Sequence, residues 1–205
     1  MIELDSWPLY KQHAAFVLGF HGTDKSIVEQ VITGKCGLDS SDNSYDWLGP
    51  GVYFWESDPQ RALEWAQERK GRGKISEPAV VGAIIDLGYC LDLSTQPALM
   101  EVDEAHGTLV QAYHEAQKAL PRNTVGDDLV YRELDCQVIK TLHEYREEQH
   151  IRPYDSVRSP FVESESLYDG AGFRKKTHIQ VAVLAPACIK GYFLPIRGLQ
   201  PTMPL

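Results

Sequence analysis

The sequence has no long apolar run and few cysteines, and both absences restrict the class of protein it encodes. No stretch reaches the roughly 20 consecutive apolar residues of a membrane-spanning helix, and the first residues lack the pattern of a secretion signal. Only 4 of the 205 residues are cysteines, and they are widely scattered, with no Cys-x-x-Cys pair. We therefore expect a cytoplasmic protein with buried, reduced thiols, no membrane association and no metal site.

Basic side chains are also in the minority. Lys and Arg number 20 against 29 Asp and Glu, which gives a formal net charge of −9. This balance argues against non-specific binding to nucleic acid, although it leaves room for a local basic patch. The hydrophobic content of 43% is ordinary for a folded domain, and the length suffices for one core. We expect a single domain over residues 1–205.

Two short apolar strands are predicted in the first third of the chain, at residues 16–20 and 52–55. A helix follows each strand. The first carries Ser26 and Glu29 at the spacing of a capping box, and the second has Pro59 in its first turn. The polar, turn-rich residues between these units predict a loop that lies over or beside a site.

The central part of the chain has a different pattern. From about residue 96 to 149 the sequence is typical of helices, with Leu134, Val138 and Leu142 at four-residue spacing. Apolar segments on both sides predict further strands, at residues 79–93, 161–162, 177–184 and 189–194. The sequence therefore predicts an α+β fold, a strand-rich body with a helical insertion at about 96–149 and peripheral helices.

Two glycine-containing motifs carry the functional signal. They are Phe20-His21-Gly22-Thr23 and Gly49-Pro50-Gly51-Val52-Tyr53-Phe54. The first offers an imidazole and backbone polar groups, and the second an aromatic ring on a backbone that can be approached closely. Together they suit a flat carboxamide ring such as the nicotinamide of NAD. The alternative is structural: His21 as a hydrogen-bonded residue at a strand end, and Tyr53 as part of the core.

These motifs, with the helices that follow them, resemble the ADP-ribosyltransferase superfamily, and its His-Tyr-Glu branch in particular, the diphtheria toxin and poly(ADP-ribose) polymerase type. The resemblance implies a split antiparallel β-sandwich with NAD in the cleft between the sheets. It assigns the NAD ribose to His21, the nicotinamide amide to the backbone of Gly22, and ring stacking to Tyr53. Thr23 fits the small hydroxyl residue after the glycine. A second aromatic on the following helix closes the ring's other face, and Trp65 lies one position from that register.

At the third position of the His-Tyr-Glu pattern, where the family has a glutamate, this sequence has no carboxylate. The strand that carries the family's Glu matches residues 177–183, where His178 and Gln180 share one face. A carboxylate ~4 Å from an oxocarbenium ion would supply roughly 4 kcal/mol at an effective dielectric near 20, and an amide forfeits most of it. Glu163 and Glu165 form a Glu-x-Glu that resembles the loop of the arginine-modifying toxin branch, where one Glu serves the ribose and the other the acceptor.

The resemblance implies transfer of ADP-ribose from NAD to a macromolecular acceptor, protein or nucleic acid, with release of nicotinamide. It also suggests a bacterial toxin or anti-phage effector with an antitoxin as partner. Three alternatives remain: an NAD glycohydrolase, a catalytically inactive module that binds NAD or ADP-ribose, and an RNA 2′-phosphotransferase. The basic cluster Arg69-Lys70-Arg72-Lys74 is either a solvated loop or a contact for the NAD pyrophosphate or for RNA.

Overall fold

The computed structural model describes residues 16–126, 129 and 131–196, which form a mixed seven-stranded sheet, a two-stranded hairpin and four α-helices. The α+β class is confirmed. The strands are β1 (Phe16–Asp24), β2 (Val52–Glu56), β3 (Pro78–Asp86), β4 (Cys90–Asp92), β5 (Asn123–Thr124), β6 (Tyr131–Arg132), β7 (Ser156–Phe161), β8 (His178–Val183) and β9 (Ile189–Phe193). The helices are α1 (Lys25–Ile32), α2 (Pro59–Gly71), α3 (Gln96–Glu115) and α4 (Glu133–Glu148).

The large sheet has the strand order β4-β7-β8-β2-β1-β3-β9. All of its pairs are antiparallel except β4 with β7, which is parallel. The prediction of an antiparallel sheet is therefore wrong at this edge. The reason is the long connection through α3 and α4, because a crossover of that length allows parallel pairing where a short hairpin would not. Division of the sheet into a sandwich stays a prediction.

The backbone hydrogen-bond ladder is shortest between β1 and β2, which are neighbours near the middle of the sheet. β1 pairs with β3 along its whole length, but with β2 only through Gly19–Phe20 opposite Trp55–Glu56. Beyond Phe20 the β1–β2 ladder ends. His21 is the next residue, and its Nδ1 atom lies 2.7 Å from the carbonyl oxygen of Tyr53. A side chain thus replaces the backbone ladder and leaves a gap beside it.

Helices cover both faces of the sheet. On one face α2 lies directly on β1, and a Cβ added at Gly22 would stand 2.0 Å from the Ala62 carbonyl oxygen. Only glycine allows this approach. On the other face α1 packs through Val28 and Val31 against Val81 of β3. The tight α2–β1 contact sets the position of every side chain that α2 presents along the gap.

The helical insertion packs over the β4–β7–β8 end of the sheet. α3 and α4 bury Leu109, Ile139 and Leu142 against Val157 and Phe161 of β7. The hairpin β5–β6 connects the two helices. This cluster forms the core on one side of the gap, so the two sides of the gap are supported by different helices.

Three predictions of element bounds are wrong. Strand β1 continues to Asp24, beyond its predicted end at Phe20, because it pairs with β3 over this length. Strand β7 begins at Ser156, well before the predicted strand at 161–162, because Pro160 weakened the strand signal. β4 pairs only with Ser156–Arg158, so Pro160 lies where no neighbour on that side needs its missing N–H. The amino-terminal cap of α1 is Asp24, whose carboxylate accepts from Ser26 N, in place of the predicted Ser26.

Among the residues that the structure describes, no helix is long and apolar enough to cross a membrane. All four cysteines are free. Cys90, Cys136 and Cys188 are buried, whereas Cys36 is exposed, contrary to the expectation of buried thiols throughout.

Candidate functional site

A cavity of about 770 Å³ lies along the gap between β1 and β2. Five of the candidate catalytic and nicotinamide-binding residues line it, although they come from β1, β2, α2, the segment after β7, and β8. They are His21, Tyr53, Trp65, Glu163 and Gln180. The polar loop before β2 contributes Asp39, Asp46 and Trp47 to the opposite wall, in line with its predicted place beside a site.

The protonation of His21 follows from its geometry. A carbonyl oxygen only accepts, so the 2.7 Å contact requires that Nδ1–H of His21 donates to Tyr53 O. Burial lowers the pKa of His21, which keeps the ring neutral at neutral pH. In this tautomer Nε2 carries the lone pair. The cavity wall thus contains a neutral imidazole that can accept a hydrogen bond from a ligand hydroxyl.

Tyr53 is held by its hydroxyl group. The hydroxyl donates to Gly49 O at 2.7 Å and accepts from Leu48 N at 2.9 Å. Burial raises the pKa of Tyr53, so the phenol stays protonated. Gly49 has φ +75°, a conformation that permits the turn which brings its carbonyl to the phenol. The hydroxyl is therefore used in contacts within the protein, and the aromatic ring is the part of Tyr53 that remains for a ligand.

Helix α2 presents a stripe of cationic and aromatic side chains to the cavity. Arg61 and Trp65 are one helical turn apart, and Arg69 follows by another turn. The Trp65 ring lies 5.8 Å from the Trp55 ring, between centroids, with the Arg69 guanidinium 5.1 Å above Trp65. The Arg61 guanidinium lies 5.8 Å from the Trp55 ring. Trp65 thus lines the cavity, and its contact with a nicotinamide ring stays a prediction.

Polar hydrogens at this wall lack acceptors. Nε and Nη1 of Arg61 and Nε1 of Trp55 are buried without a hydrogen-bond partner among the described residues. The side chain of Arg61 is only 13% exposed. Most buried donors in folded proteins are satisfied, so three orphaned donors on two neighbouring residues indicate a place for a bound molecule.

The two carboxylates of the Glu-x-Glu have different environments. The Glu163 side chain is 6% exposed and lies 3.9 Å from Arg61 Nη2 and 3.8 Å from His178 Nδ1. The Glu165 side chain is 68% exposed and pairs with Lys175 at 2.9 Å. Hydrogen bonds from Ser164 and Lys175 lower the pKa of Glu165 to about 2. Only Glu163 of this pair lines the cavity.

The structure also distinguishes the two candidates on β8, because one lines the cavity and the other does not. Gln180 stands opposite Trp55 of β2 and Ser159 of β7, and its side chain lines the cavity. The His178 side chain is fully buried, and its Nδ1–H donates to Lys176 O at 2.7 Å. Burial lowers the pKa of His178 as well. Among the described residues that line the cavity, Gln180 is present and His178 is not.

Gly22 and Thr23 lie further along β1, within its ladder with β3, opposite Val80 and Ala79. Neither is among the described residues that line the cavity. The structure gives Gly22 a packing reason, the close approach of Ala62 of α2. The roles that the resemblance assigned to these two residues stay predictions.

Sequence reasoning missed Arg61 and Trp55. The signal for Arg61 was present, because Arg61, Trp65 and Arg69 recur every four residues and must share a face of α2. Trp55 stood within the predicted strand, where an aromatic residue is ordinarily assigned to the core. Its contact with the cavity follows from the early end of the β1–β2 ladder, which the sequence does not reveal.

A second cavity of about 380 Å³ lies between α3, α4 and β7 and shares Trp47 with the first. Its lining is mainly apolar, and Arg132 stacks 4.4 Å from the Trp47 ring centroid at its edge. None of the candidate catalytic or cofactor-binding residues from the sequence is among the described residues that line it. The larger cavity is therefore the candidate functional site.

Among the described residues, no group of three or more His, Cys, Asp or Glu side chains could hold a metal ion. Comparisons with protein-family models, with curated proteins and with solved structures found no match to this chain. The case for a function therefore rests on the residues and geometry of the cavity.

Proposed function

We propose that this protein is an NAD-dependent ADP-ribosyltransferase, with an ADP-ribosyltransferase-like fold, whose site is the cavity between β1, β2 and α2. The observation that carries the proposal is convergence. His21, Tyr53, Trp65 and Gln180 were assigned from motifs spread over most of the chain, and all four line one cavity. Chance motifs in unrelated loops would not be expected to meet in this way.

Each side chain has a chemical task in this proposal. The neutral His21 accepts a hydrogen bond from a ribose hydroxyl, and the Gln180 amide bonds the neighbouring hydroxyl. Tyr53 and Trp65 supply aromatic faces for the nicotinamide ring, and the Tyr53 hydroxyl keeps its ring in place through Gly49 and Leu48.

Glu163 provides the carboxylate that β8 lacks. When the bond between C1′ of the ribose and the nicotinamide nitrogen breaks, its electron pair stays with the leaving nicotinamide and positive charge develops on the ribose. A buried carboxylate stabilises such a charge more than a solvated one does. Arg61 at 3.9 Å partly offsets the cost of burying Glu163. The nucleophile of the acceptor then attacks C1′ and loses its proton.

The test is incubation of the purified protein with NAD labelled on its adenine moiety, together with candidate protein and nucleic acid acceptors. Release of nicotinamide with label bound to a macromolecule supports the proposal. Nicotinamide release with free labelled ADP-ribose indicates the glycohydrolase instead. Tight NAD binding without release indicates an inactive binding module and would reject transfer.

The Glu-x-Glu provides a matched pair of variants. We expect Glu163→Gln to lower kcat by about 10²-fold to 10³-fold, the size of effect seen when one group that stabilises transition-state charge is removed. Glu165→Gln makes the same chemical change two residues away on an exposed side chain, and should leave kcat within about twofold. Equal effects of the two substitutions would remove Glu163 from the mechanism. A urea titration of each variant identifies any loss that comes from unfolding.

A cytoplasmic location, a toxin context and an antitoxin partner complete the proposal. The identity of the acceptor follows from the labelling experiment, because the label remains on whichever macromolecule is modified.

A further inference from the structure

The outward part of the α2 stripe carries positive charge without nearby negative partners. Arg69 and Arg72 are three residues apart at the end of α2, and both line the cavity. Among the described residues, no carboxylate lies within ion-pair distance of either guanidinium. Arg69 lies in the last turn of α2 and Arg72 at its carboxyl-terminal cap, where the helix dipole favours positive charge, and an anion held by both guanidinium groups would relieve their mutual repulsion.

The other cations that line the cavity have carboxylate partners. Glu68 lies 3.9 Å from Arg61 Nη1 and 3.4 Å from Lys176 Nζ, so its carboxylate is shared by two other cations. The Asp46 carboxylate, which also lines the cavity, accepts from the Ser41 hydroxyl at 2.6 Å and from Asn43 N at 2.6 Å. Among the described cations that line the cavity, those without a carboxylate partner are therefore Arg69 and Arg72.

Distance along the helix separates this pair from the deep end of the cavity. Arg69 follows Arg61 by eight positions, which corresponds to about 12 Å along an α-helix. His21, Gln180 and Glu163 line the same cavity as the stripe. A long ligand that places one end at these residues can therefore extend its remaining part along α2 towards Arg69 and Arg72.

We propose that Arg69 and Arg72 form an anion subsite that holds the diphosphate of a dinucleotide. Two guanidinium groups one turn apart present several N–H donors to neighbouring phosphates, and charge-assisted bonds of this kind are strong and geometrically selective. The identification of the anion as part of a dinucleotide rests on the proposed function. The subsite itself rests on the paired and unpaired charges of α2.

The experiment is calorimetric titration of the full chain with inorganic pyrophosphate, with ADP, and with adenosine as the ligand that lacks phosphate. We expect pyrophosphate and ADP to bind, and Arg69→Gln/Arg72→Gln to weaken both by about tenfold or more, because charge-assisted bonds are lost. The control is Lys70→Gln/Lys74→Gln. It removes the same charge from the same end of α2, but from exposed residues that are not among the described cavity lining. It should change binding by less than about twofold.

Three results would overturn the subsite. They are no binding of pyrophosphate to the unaltered protein, equal weakening by the two double variants, and a single-stranded oligonucleotide that binds more tightly than ADP and depends equally on all four basic residues. The last result would assign the patch to nucleic acid. If pyrophosphate binds through Arg69 and Arg72 while NAD releases no nicotinamide, the subsite stands and the proposed transferase fails.

Discussion

Arg146 is buried and Arg61 is largely buried, yet they differ in almost every contact. Nε and Nη2 of Arg146 donate to the Arg152 carbonyl oxygen at 3.0 and 2.7 Å, and Nη1 lies 3.1 Å from Glu101 Oε2. Its guanidinium also stacks 4.3 Å from the Tyr154 ring. Nε and Nη1 of Arg61 have no hydrogen-bond partner among the described residues, and the carboxylate oxygens of Glu68 and Glu163 lie 3.9 Å from its guanidinium.

These contacts indicate that Arg146 has a structural role, whereas Arg61 is suited to binding a ligand. The donors of Arg146 are used within the protein, where they tie α4 to α3 and to the segment that leads into β7. The donors of Arg61 are left over at a cavity wall, and the fold bears the cost of burying them. Such a cost is typical of functional sites, where local arrangements that weaken the fold are kept for the ligand.

The first prediction concerns stability and has the largest expected effect. Arg146→Met removes one partner of a buried ion pair together with its bonds to the Arg152 carbonyl, and should lower the free energy of unfolding by about 3 to 5 kcal/mol. Arg61→Met removes no hydrogen bond from Nε or Nη1, but it takes the cation 3.9 Å away from the buried Glu163, so it should cost about 1 to 2 kcal/mol, less than Arg146→Met. Urea titrations measure both. A loss with Arg61→Met as large as that with Arg146→Met would break the comparison.

The second prediction uses the neighbour of Arg146. Burial and, to a smaller extent, the charge of Arg146 lower the pKa of His143 to about 4. An unfolded histidine binds its proton near pH 6.5, so the unfolded state holds more protons between these values and stability falls as the pH drops through this window. The loss from this group approaches about 3 kcal/mol at pH 4 and does not grow below it.

Variants of two histidines isolate this contribution. His143→Gln should flatten the fall in stability between pH 6.5 and 4, as measured by urea midpoints across the range. His114→Gln, on the exposed side of α3, should leave the slope unchanged. His21 and His178, whose pKa values burial also lowers, keep a remaining slope in the same direction. An unchanged slope in His143→Gln would show that folding does not lower the pKa of this histidine.

Sequence reasoning succeeded where the signal was local. The strands around His21 and Tyr53, the helix beginning at Pro59 and the helical block after residue 96 follow from periodicity and cap residues. The convergence of His21 and Gln180 on one cavity was expected only through resemblance, since spacing alone does not reveal which strands become neighbours.

Non-local features account for the rest. The parallel pairing of β4 with β7, the early end of the β1–β2 ladder and the burial of Glu163 beside Arg61 all depend on segments distant in sequence. Glu163 and Glu165 look equivalent in the sequence. Only the turn after β7 decides that one carboxylate enters the cavity and the other meets solvent and Lys175.

The third prediction tests whether the α2–β1 contact sets the position of Arg61. Gly22→Ala places a Cβ against the Ala62 carbonyl, and should lower the free energy of unfolding by about 3 kcal/mol, since neither backbone can yield cheaply. It should also weaken ligand binding, because α2 and its Arg61–Trp65 stripe must shift. Gly107→Ala in α3 has open space around its Cβ, and should stabilise by about 0.5 to 1 kcal/mol. Equal stability of the two variants would contradict the close contact.

The last prediction divides Tyr53 into its ring and its hydroxyl. Tyr53→Phe leaves Leu48 N and Gly49 O without their partner, so the free energy of unfolding should fall by about 1 to 2 kcal/mol in urea titrations. Because the ring is kept, NAD affinity should change by less than about threefold. Tyr53→Ala removes the ring as well and should weaken NAD binding by about tenfold, given the usual strength of aromatic contacts. If Tyr53→Phe weakens binding as much as Tyr53→Ala does, the hydroxyl itself meets the ligand, and Tyr53 would resemble the unsatisfied Arg61 more than the fully bonded Arg146.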